Sequence, residues 1–433
     1  MWLTETTLLD GAQGLRRADI EIGEGRICSL AAPGRRRSGA VDGSRLVVIP
    51  GLCNGHYHGG SSLLAGLEAG MQIHDWADRS AQGRVQAQLF EWLDGAASRS
   101  ELEIVYRKEY LELLCQGVIF VADSGLSDQA DGLAEDVMTG LGLRGNVESY
   151  GSFDVPEDPH RVGHSLHFPE EEDLDQASLA ATAAAAAAAV TATTSAAGPA
   201  PVRLTGHCLE TPLRRSLVEA RFGQSTVAVL DAAGLLTPET VLFHGCLMDA
   251  RDTAQVAAAG ASIVTCPVSN LMTGGRVPPL RSWIESGVTV ALGTDWADTN
   301  FWEVVRATRG ILAAQGVRAP ETAARLLGMA TAGGAATYGR GDLGSIAEGQ
   351  LADLVFLDAP ALQPYLQAGS VSTLAAAVIQ KGSAGTVRHV MVGGEWAVFD
   401  RAPTRCDLQA ANQAYAELAE RLAESITVAR QDR

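Results

Sequence analysis

Two histidines separated by a single residue follow an apolar run near the start of the chain. His56 and His58 come after LVVIPGLCNG, a run typical of a buried β-strand. Side chains in a strand point to the same face at every second residue, so both imidazoles would point the same way. Neutral imidazole binds zinc, iron and related metals. The pair alone also fits two strand histidines with no ligand.

Three further polar residues stand after strand-like runs. His207 follows VRLTG, His244 follows TVLF and Asp295 follows VTVALGT. A catalytic metal site needs about three protein ligands and one position left for water. A buried aspartate is costly to ionise unless it is paired or bound to a metal, although Asp295 could instead cap the next helix. Taken alone, His244 is better explained as a hydrogen-bonded core histidine.

The elements that would position these residues are alternating strands and helices. Short apolar runs ending in Gly, Asp, Asn or His are followed by helical stretches, as in βα units. The separation of His56 from Asp295 is close to the roughly 250 residues of a whole barrel. We therefore predict a (β/α)8 TIM barrel. Its strands would be LVVIPGLCNGHYH, GVIFVADSG, LRGNVESYG, RVGHSLHF, PVRLTGHCLE, TVLFHG, ASIVTCPVSN and VTVALGTD. RVGHSLHF is the best candidate for the fourth strand.

Both ends of the chain have a different texture, with short strands and tight turns. ADIEIGEGRICSLAA alternates around a Gly-Glu-Gly turn, and Gly393-Gly394 marks a second tight turn. Together the ends predict a small β-sandwich beside the barrel. The predicted organisation is a first sandwich part over 1–48, the barrel over 49–339, a second sandwich part over 340–402, and a C-terminal region over 403–433 that is helical from an Asp407 N-cap to about Val428.

An alanine-rich segment, residues 174–198, interrupts the barrel pattern. Alanine has the highest helix propensity, so the segment predicts one helix of the outer ring. The four acidic residues 170–173 would favour its N-terminus through the helix dipole. A flexible linker between domains is the alternative.

Composition excludes several classes of function. A net charge of −18 disfavours nucleic acid and anionic membranes as partners. There is no long apolar segment, and the first residues do not resemble a secretion signal, so we expect a cytoplasmic protein. Seven cysteines without a CxxC pair indicate reduced, buried thiols. The HExxH motif and the HxE with PCxxC motif of other zinc hydrolases are absent.

These motifs, in this order, resemble the amidohydrolase superfamily. PGLCNGHYHGGSSLLAGL is similar to the family opening PGLxNxHxHxxxxLxRG, in the branch of triazine hydrolases, guanine deaminase and adenosylhomocysteine deaminase. GHCLETP resembles the HxxE element, and FHG, CPVSN and GTD resemble the sixth, seventh and eighth strands. DLGSIAEGQLADLVFLD is similar to the return into the β-sandwich. The motifs run from about residue 20 to 400.

The resemblance implies a role for each matching residue. A single divalent metal, zinc with iron(II) as the alternative, would be bound by His56, His58, His207 and Asp295. Asp295 would also take a proton from the bound water, and His244 would orient the attacking hydroxide. Glu210 would be the general acid and base, protonating a ring nitrogen or the leaving group.

Three residues are candidate substrate contacts. His164 and His167 stand where the family often places a histidine that touches the substrate, although surface loop histidines fit the sequence equally well. Trp76, after the first strand, could form a wall of the pocket or simply pack in the core.

Together these inferences predict an enzyme that hydrolyses carbon–nitrogen bonds other than peptide bonds. The expected reaction is deamination of a small nitrogen heterocycle such as a purine, pyrimidine, pterin or triazine. Removal of another amine, removal of a halide, and opening of a cyclic amide are the alternatives within enzymes. A binding or scaffold protein on the same barrel is the alternative outside them, and it would be marked by lost ligands. A homodimer or larger homo-oligomer is left open.

Overall fold

The chain folds into a barrel and a separate sheet that is built from both of its ends. The structure is a computed structural model, and it describes residues 1–34, 38–67, 80–125, 132–150, 158, 160–194, 202–273 and 275–425.

Eight parallel strands form the barrel, in sequence order around it. The expected fourth strand is present, since Val162–His167 lies between its sequence neighbours and pairs with both. The predicted (β/α)8 barrel is therefore confirmed. Its strands are β6 (Leu52–Tyr57), β7 (Val118–Asp123), β8 (Arg144–Tyr150), β9 (Val162–His167), β10 (Arg203–Cys208), β11 (Thr240–His244), β12 (Ser262–Thr265) and β13 (Thr289–Leu292).

The barrel closes between its first and last strands, just beyond the end of β13. Tyr57 forms a parallel bridge with Asp295. The amide of Asp295 donates to the carbonyl of His56 at 2.9 Å, and the amide of His58 donates to the carbonyl of Asp295 at 3.2 Å. Closure of the backbone thus brings three of the expected ligands to one place.

The second sheet is mixed and has nine strands. Both expected hairpins are present: β2 pairs with β3 and β15 pairs with β16, each in antiparallel register. The two ends of the chain meet where β5 pairs with β14. The strands are β1 (Trp2–Asp10), β2 (Gly14–Gly23), β3 (Arg26–Ala31), β4 (Val41–Asp42), β5 (Leu46–Pro50), β14 (Leu354–Asp358), β15 (Val387–Val392), β16 (Glu395–Phe399) and β17 (Ala402–Pro403).

The run LVVIPGLCNGHYH is divided between the two sheets, whereas the sequence predicted one barrel strand. Leu46–Pro50 belongs to the end sheet and Leu52–Tyr57 to the barrel, with Gly51 between them. A Cβ atom on Gly51 would lie 2.2 Å from Cγ1 of Ile119 on β7, so a larger residue would clash with that side chain. Glycine allows the chain to pass between sheets at this point.

Helices surround the barrel and flank the end sheet. Their bounds are α1 (Ala81–Glu91), α2 (Arg99–Cys115), α3 (Leu133–Leu141), α4 (Gln176–Thr194), α5 (Pro212–Phe222), α6 (Thr226–Ala232), α7 (Ala250–Ala259), α8 (Pro267–Met272), α9 (Leu280–Glu285), α10 (Phe301–Ala314), α11 (Thr322–Gly328), α12 (Gly334–Thr337), α13 (Val371–Lys381) and α14 (Leu408–Ser425).

Two helix predictions are confirmed within the described residues. The alanine-rich segment is helical as α4, so the linker alternative is wrong for Gln176–Thr194. Asp407 caps α14, because its carboxylate accepts the amides of Gln409 and Ala410 at 2.8 and 3.1 Å. Residues 426–433, the expected end of that helix, lie outside the described residues.

A continuous apolar core runs from the barrel to the end sheet. It includes Trp283 and Phe120 of the barrel region and Val355 of β14, all buried. A smaller cluster, with Ile20 and Phe356, covers the other face of the end sheet. No helix in the described part of the chain is both long and apolar enough to cross a membrane.

Candidate metal centre and active site

Three expected ligands meet at the point of barrel closure. Nε2 of His56 lies 3.1 Å from Oδ1 of Asp295, and Nε2 of His58 lies 3.2 Å from the same oxygen. All three side chains are largely or wholly buried. The strand spacing therefore does place the two imidazoles on one face, as the sequence predicts.

His207 and His244 extend this group from the ends of β10 and β11. The ring of His207 lies 5.2 Å from that of His56 and 5.3 Å from that of His244, measured between centroids. Four imidazoles and one carboxylate thus converge at the carboxyl ends of the barrel strands. This is the face at which barrel enzymes build their active sites.

The Nδ1 atom of every one of these histidines faces a fixed polar partner. The partners are Ser124 Oγ for His56 at 3.1 Å, Gly125 O for His58 at 3.1 Å, Glu170 Oε1 for His207 at 2.9 Å and Asn270 Oδ1 for His244 at 2.7 Å. When Nδ1 is held in this way, Nε2 is left to face the centre. Metal-binding histidines commonly have such partners.

The donor set fits a divalent cation. Ligand atoms of His56, His207, His244 and Asp295 all lie within 4.8 Å of one another. Nε2 of His56 and of His244 are buried and make no hydrogen bond within the described residues. This group contains His244, which the sequence assigned to orienting the hydroxide. It does not include the predicted ligand His58, although the ring of His58 lies 4.8 Å from that of His56 and its Nε2 lies 3.2 Å from Oδ1 of Asp295.

Electrostatics at the centre favour an ionised aspartate. Burial raises the pKa of Asp295, but the electrostatic interaction with His244 and the close contacts with His56 and His58 outweigh it and hold that pKa well below its usual range. Burial lowers the pKa of His56 and of His207 well below the usual value. Burial also lowers the pKa of His58, but its contacts with Asp295 and with the carbonyl of Gly125 outweigh it and raise that pKa to about 9, so a cation bound there would replace a proton on His58.

The backbone is strained at the strand ends that carry this group of residues. His244 has φ +67° and Asp295 has φ +66°, a region that residues other than glycine rarely adopt. Leu209, between His207 and Glu210, has φ +51°. Such strain persists only when the surroundings impose it, and it clusters at functional sites.

Glu210 lies at the same end of the barrel and is almost fully buried. Its Oε2 accepts a hydrogen bond from Nη1 of Arg214 at 2.6 Å. The cap of α5 is Thr211 rather than Glu210, since the Thr211 side chain accepts the amide of Arg214. Glu210 therefore does not cap the helix and is paired with Arg214 instead.

The acidic run at 170–173 has a role that the sequence analysis missed. Glu170 holds Nδ1 of His207, and Glu171 accepts the amide of Leu209 at 2.9 Å. The helix α4 begins only at Gln176, so the expected dipole contact is wrong for these two residues. Their position directly after strand β9 was the signal that could have indicated the site.

A second missed group supports the loop after β6. Asp123 accepts the amides of Gly59 and Gly125 at 3.0 and 2.6 Å, and Glu109 of α2 accepts the amide of Gly60 at 2.8 Å. Gly125 in turn holds the ring of His58 through its carbonyl. Buried carboxylates thus fix the backbone on both sides of this histidine.

The three candidate substrate contacts have different outcomes. His164 points out of the barrel to Glu135 of α3, with Nε2 and Oε2 3.0 Å apart, so its assignment as a substrate contact is wrong. Residues three apart on a strand face opposite sides, and it is His167 that points inward, with its ring 5.3 Å from that of His207. Trp76 lies outside the described residues.

A cavity of about 320 Å³ opens beside the centre. It is lined by Trp296, Met272 and Ser269, with the carboxylates of Asp298 and Glu303 at its edge. The Ser269 hydroxyl also hydrogen-bonds Oδ2 of Asp295, so the cavity borders the proposed ligand.

Comparison with known proteins gives relatives that match nearly the whole chain. An 8-oxoguanine deaminase of Pseudomonas aeruginosa is 28% identical over 94% of this chain and 96% of its own length. A 5-methylthioadenosine/S-adenosylhomocysteine deaminase of Haloarcula marismortui is 30% identical over 96% of this chain and 98% of its own. A crystal structure of an adenosine deaminase from Xanthomonas campestris with bound zinc has a TM-score of 0.82 at 21% identity, covering 98% of both chains.

The family model described as the amidohydrolase family matches residues 47–397, which is most of the chain. That range contains the barrel and the end-sheet strands β14 and β15. The likeness to the solved structure independently shows the same fold. The chain therefore belongs to the amidohydrolase family.

Proposed function

We propose that this protein is a metal-dependent hydrolase that deaminates a nitrogen heterocycle. One observation carries the proposal: four buried histidines, each held at Nδ1, gather around the ionised carboxylate of Asp295. A scaffold protein that had lost catalysis would not need to retain this arrangement, which leaves buried Nε2 atoms without partners.

His56, His58, His207 and Asp295 would hold one divalent ion, and we propose zinc, with iron(II) as the alternative. The zinc bound in the related structure from Xanthomonas campestris supports this choice. When bound, such an ion supplies a Lewis acid that lowers the pKa of a water ligand from 15.7 towards about 7.

Two residues would move protons or direct the attack. Glu210 is buried close to the centre, and Arg214 fixes one of its oxygens, so the other oxygen can exchange a proton with the substrate. Nδ1 of His244 contacts Oδ1 of Asn270, and its buried Nε2 makes no hydrogen bond within the described residues. This Nε2 atom can therefore orient the attacking water beside Asp295. Asp295 is ionised, so its carboxylate has a lone pair that can accept a proton from that water.

The substrate class follows from the relatives. Their names specify 8-oxoguanine and 5-methylthioadenosine, both heterocycles that carry an exocyclic amine, and we propose a purine, pyrimidine, pterin or triazine for this chain. We also propose a cytoplasmic location, which the seven unpaired cysteines support.

A substrate screen tests the proposal. Metal-loaded protein would be incubated with purines, pyrimidines, pterins and triazines while ammonia release and absorbance are recorded. Release of ammonia from one class supports deamination. Release of chloride or an alkylamine instead would replace deamination with one of the other hydrolytic reactions, and no reaction with any class would overturn the proposal.

A further inference from the structure

A group of buried polar atoms without partners lies beside the candidate metal centre. Both carboxyl oxygens of Glu148, both ring nitrogens of His167 and Oγ1 of Thr205 make no hydrogen bond within the described residues. The side chains of Glu148 and His167 have no exposed surface. None of the three belongs to the proposed set of ligands and proton carriers.

These residues come from three neighbouring barrel strands and face the interior together. Glu148 is on β8 and pairs in register with Ser165 of β9, while His167 of β9 pairs with Thr205 of β10. Side chains alternate along a strand, so residues two apart point to the same side. Thr205 therefore points inward like His207 on β10, and His167 points inward like Ser165 on β9.

The distances show that these polar groups do not form a closed hydrogen-bond network. Oε2 of Glu148 lies 3.8 Å from Nε2 of His167, which is too long for a hydrogen bond. The hydroxyls of Ser124 and Thr205 are close enough to lower the pKa of Glu148, but neither meets the geometry of a hydrogen bond. Polar atoms left without partners in this way can accept and donate hydrogen bonds to a group that approaches them from the barrel interior.

An unsatisfied buried carboxyl is costly, and a stable protein keeps one for a reason. Each unpaired buried polar group lowers the stability of the native state, because it has lost its hydrogen bonds to water. Burial raises the pKa of Glu148 to about 8 and lowers the pKa of His167 to about 3, so both are neutral near pH 7. A neutral carboxyl group has one acceptor and one donor side by side.

An aromatic side chain continues this wall towards the mouth of the barrel. The ring of Tyr150, two residues after Glu148, stacks on that of His167 with 4.4 Å between centroids and 28° between planes. Tyr150 is half-exposed, whereas His167 is buried. A flat heterocycle entering from solvent would meet this ring before it reached the carboxyl group of Glu148.

We propose that Glu148, with His167 and Thr205, is a substrate subsite that binds the ring edge remote from the reacting carbon. The carboxyl group of Glu148 makes two hydrogen bonds to that edge. It accepts one from a ring N–H, and it donates one to the neighbouring carbonyl oxygen or imine nitrogen. The subsite therefore selects heterocycles with such an edge and rejects those in which the N–H is replaced. The inference rests on the proposed function for the identity of the reacting carbon.

The experiment compares binding and turnover in three variants of the metal-loaded protein. Glu148→Leu removes both hydrogen-bonding atoms, and Glu148→Gln restores one acceptor and one donor. Ser165→Ala is the control, because Ser165 is on the same inward face but already bonds Asn146 at 2.6 Å. The probes are the heterocycle of the substrate screen that binds wild type most tightly and its analogue methylated on the remote N–H. Calorimetry gives affinity, and Tm and metal content are measured on the same preparations.

The proposal predicts that wild type binds the parent heterocycle at least about 10-fold more tightly than the methylated analogue. In Glu148→Leu this preference disappears, in Glu148→Gln it is partly kept, and in Ser165→Ala it is unchanged. Metal content stays constant, and the Tm of Glu148→Leu equals or exceeds that of wild type because a buried unpaired acid has been removed. A purely structural glutamate would instead lower the Tm and weaken both probes equally.

Three results would overturn the subsite: an unchanged preference in Glu148→Leu, no preference in wild type, or no binding of any heterocycle by wild type. Failure of the proposed function is recognised separately. Wild type could prefer the parent heterocycle and Glu148→Leu could lose that preference, while wild type releases no ammonia. In that case deamination is wrong and the subsite stands.

Discussion

Oε1 of Glu170 lies 2.9 Å from Nδ1 of His207, and the same glutamate contacts Arg214 through Oε2 at 3.3 Å. Arg214 also binds Glu210 and Glu172, at 2.6 and 2.9 Å. One arginine thus connects the carboxylate behind a proposed ligand to the proposed general acid. The orientation of the ligand and that of the acid are fixed by the same contact network.

The first prediction concerns Glu170 as a positioning residue. Glu170→Gln weakens the hold on the imidazole of His207, so we expect metal affinity to fall by about 10- to 100-fold, as for other partners of metal-binding histidines. Glu172→Gln is the matched control, since Glu172 also binds Arg214, at 2.9 Å. Competition with a chromogenic chelator measures both variants. Equal affinities in the two would show that the Glu170 contact has no role in binding the metal.

The second prediction concerns the metal itself. We expect about one divalent ion per chain, removed by a chelator together with activity and restored with it on addition of zinc or iron(II). Elemental analysis of protein purified without added metal measures the content. Full activity in protein free of metal would contradict the whole account of the site.

The third prediction separates catalysis from structure at Glu210. Glu210→Gln keeps the shape and an acceptor for Arg214 but cannot deliver a proton, so kcat falls by about 100-fold or more. Metal content should not change, because Asp295 already supplies the carboxylate ligand. Turnover and metal are measured on one preparation. Normal turnover would remove Glu210 from the mechanism, and lost metal would make it a ligand.

The barrel and the gathering of polar residues at its strand ends could be predicted from sequence because they follow local rules. Apolar runs with polar ends indicated all eight strands, and the two-residue period placed His56 and His58 on one face. The same period, applied to His164 and His167, would have shown that only one of them can face the barrel interior.

The supporting carboxylates could not be predicted, because their partners are distant along the chain. Glu170 is 37 residues from His207, and Glu109 is 49 residues from Gly60. The position of HFPEEED after a barrel strand indicates the end of the barrel that carries the site, but it does not show which of its carboxylates contacts a histidine and which lies near a helix start. Glu148 was missed for a related reason. What distinguishes it is that both of its buried carboxyl oxygens lack hydrogen bonds within the described residues, and this can be seen only in the structure.

The fourth prediction concerns pH and Glu171. Burial raises the pKa of Glu171 to about 7, against the hydrogen bonds from Thr226 and Leu209 and the charge of Arg214, while Glu210 adds to the rise. The native state then holds a proton that the unfolded state releases near pH 4.3, so the free energy of unfolding falls as pH rises from about 4.3 through 7.

Replacing this glutamate should remove that decline. The quantity to follow is the difference in the free energy of unfolding, wild type minus Glu171→Gln. This difference should fall by on the order of 2 kcal/mol between pH 4.5 and about 8. Urea unfolding of both proteins at equal metal loading gives the difference at each pH. A difference that stays constant, or that grows with pH, would show that Glu171 is ionised throughout.

The last prediction concerns the junction between the barrel and the end sheet. Arg144, the first residue of β8, donates from Nε and Nη2 to the carboxylate of Asp353 at 2.6 and 3.2 Å. The side chains are 8% and 1% exposed, and the same carboxylate accepts the amide of Gly393 at 2.6 Å. The pair thus joins the amino end of a barrel strand to the turn between β15 and β16.

A double-mutant cycle tests how strongly this pair holds the two parts together. Arg144→Met leaves a buried carboxylate without its partner and should cost about 3–5 kcal/mol in the free energy of unfolding. Asp353→Asn keeps an acceptor for Gly393, so the double variant should be more stable than the sum of the single losses predicts. Because the pair lies at the barrel end opposite the site, kcat per folded molecule and metal content should match wild type. Additive losses would show that the arginine and the aspartate stabilise the junction independently, and a fall in kcat would connect this end of the barrel to the chemistry.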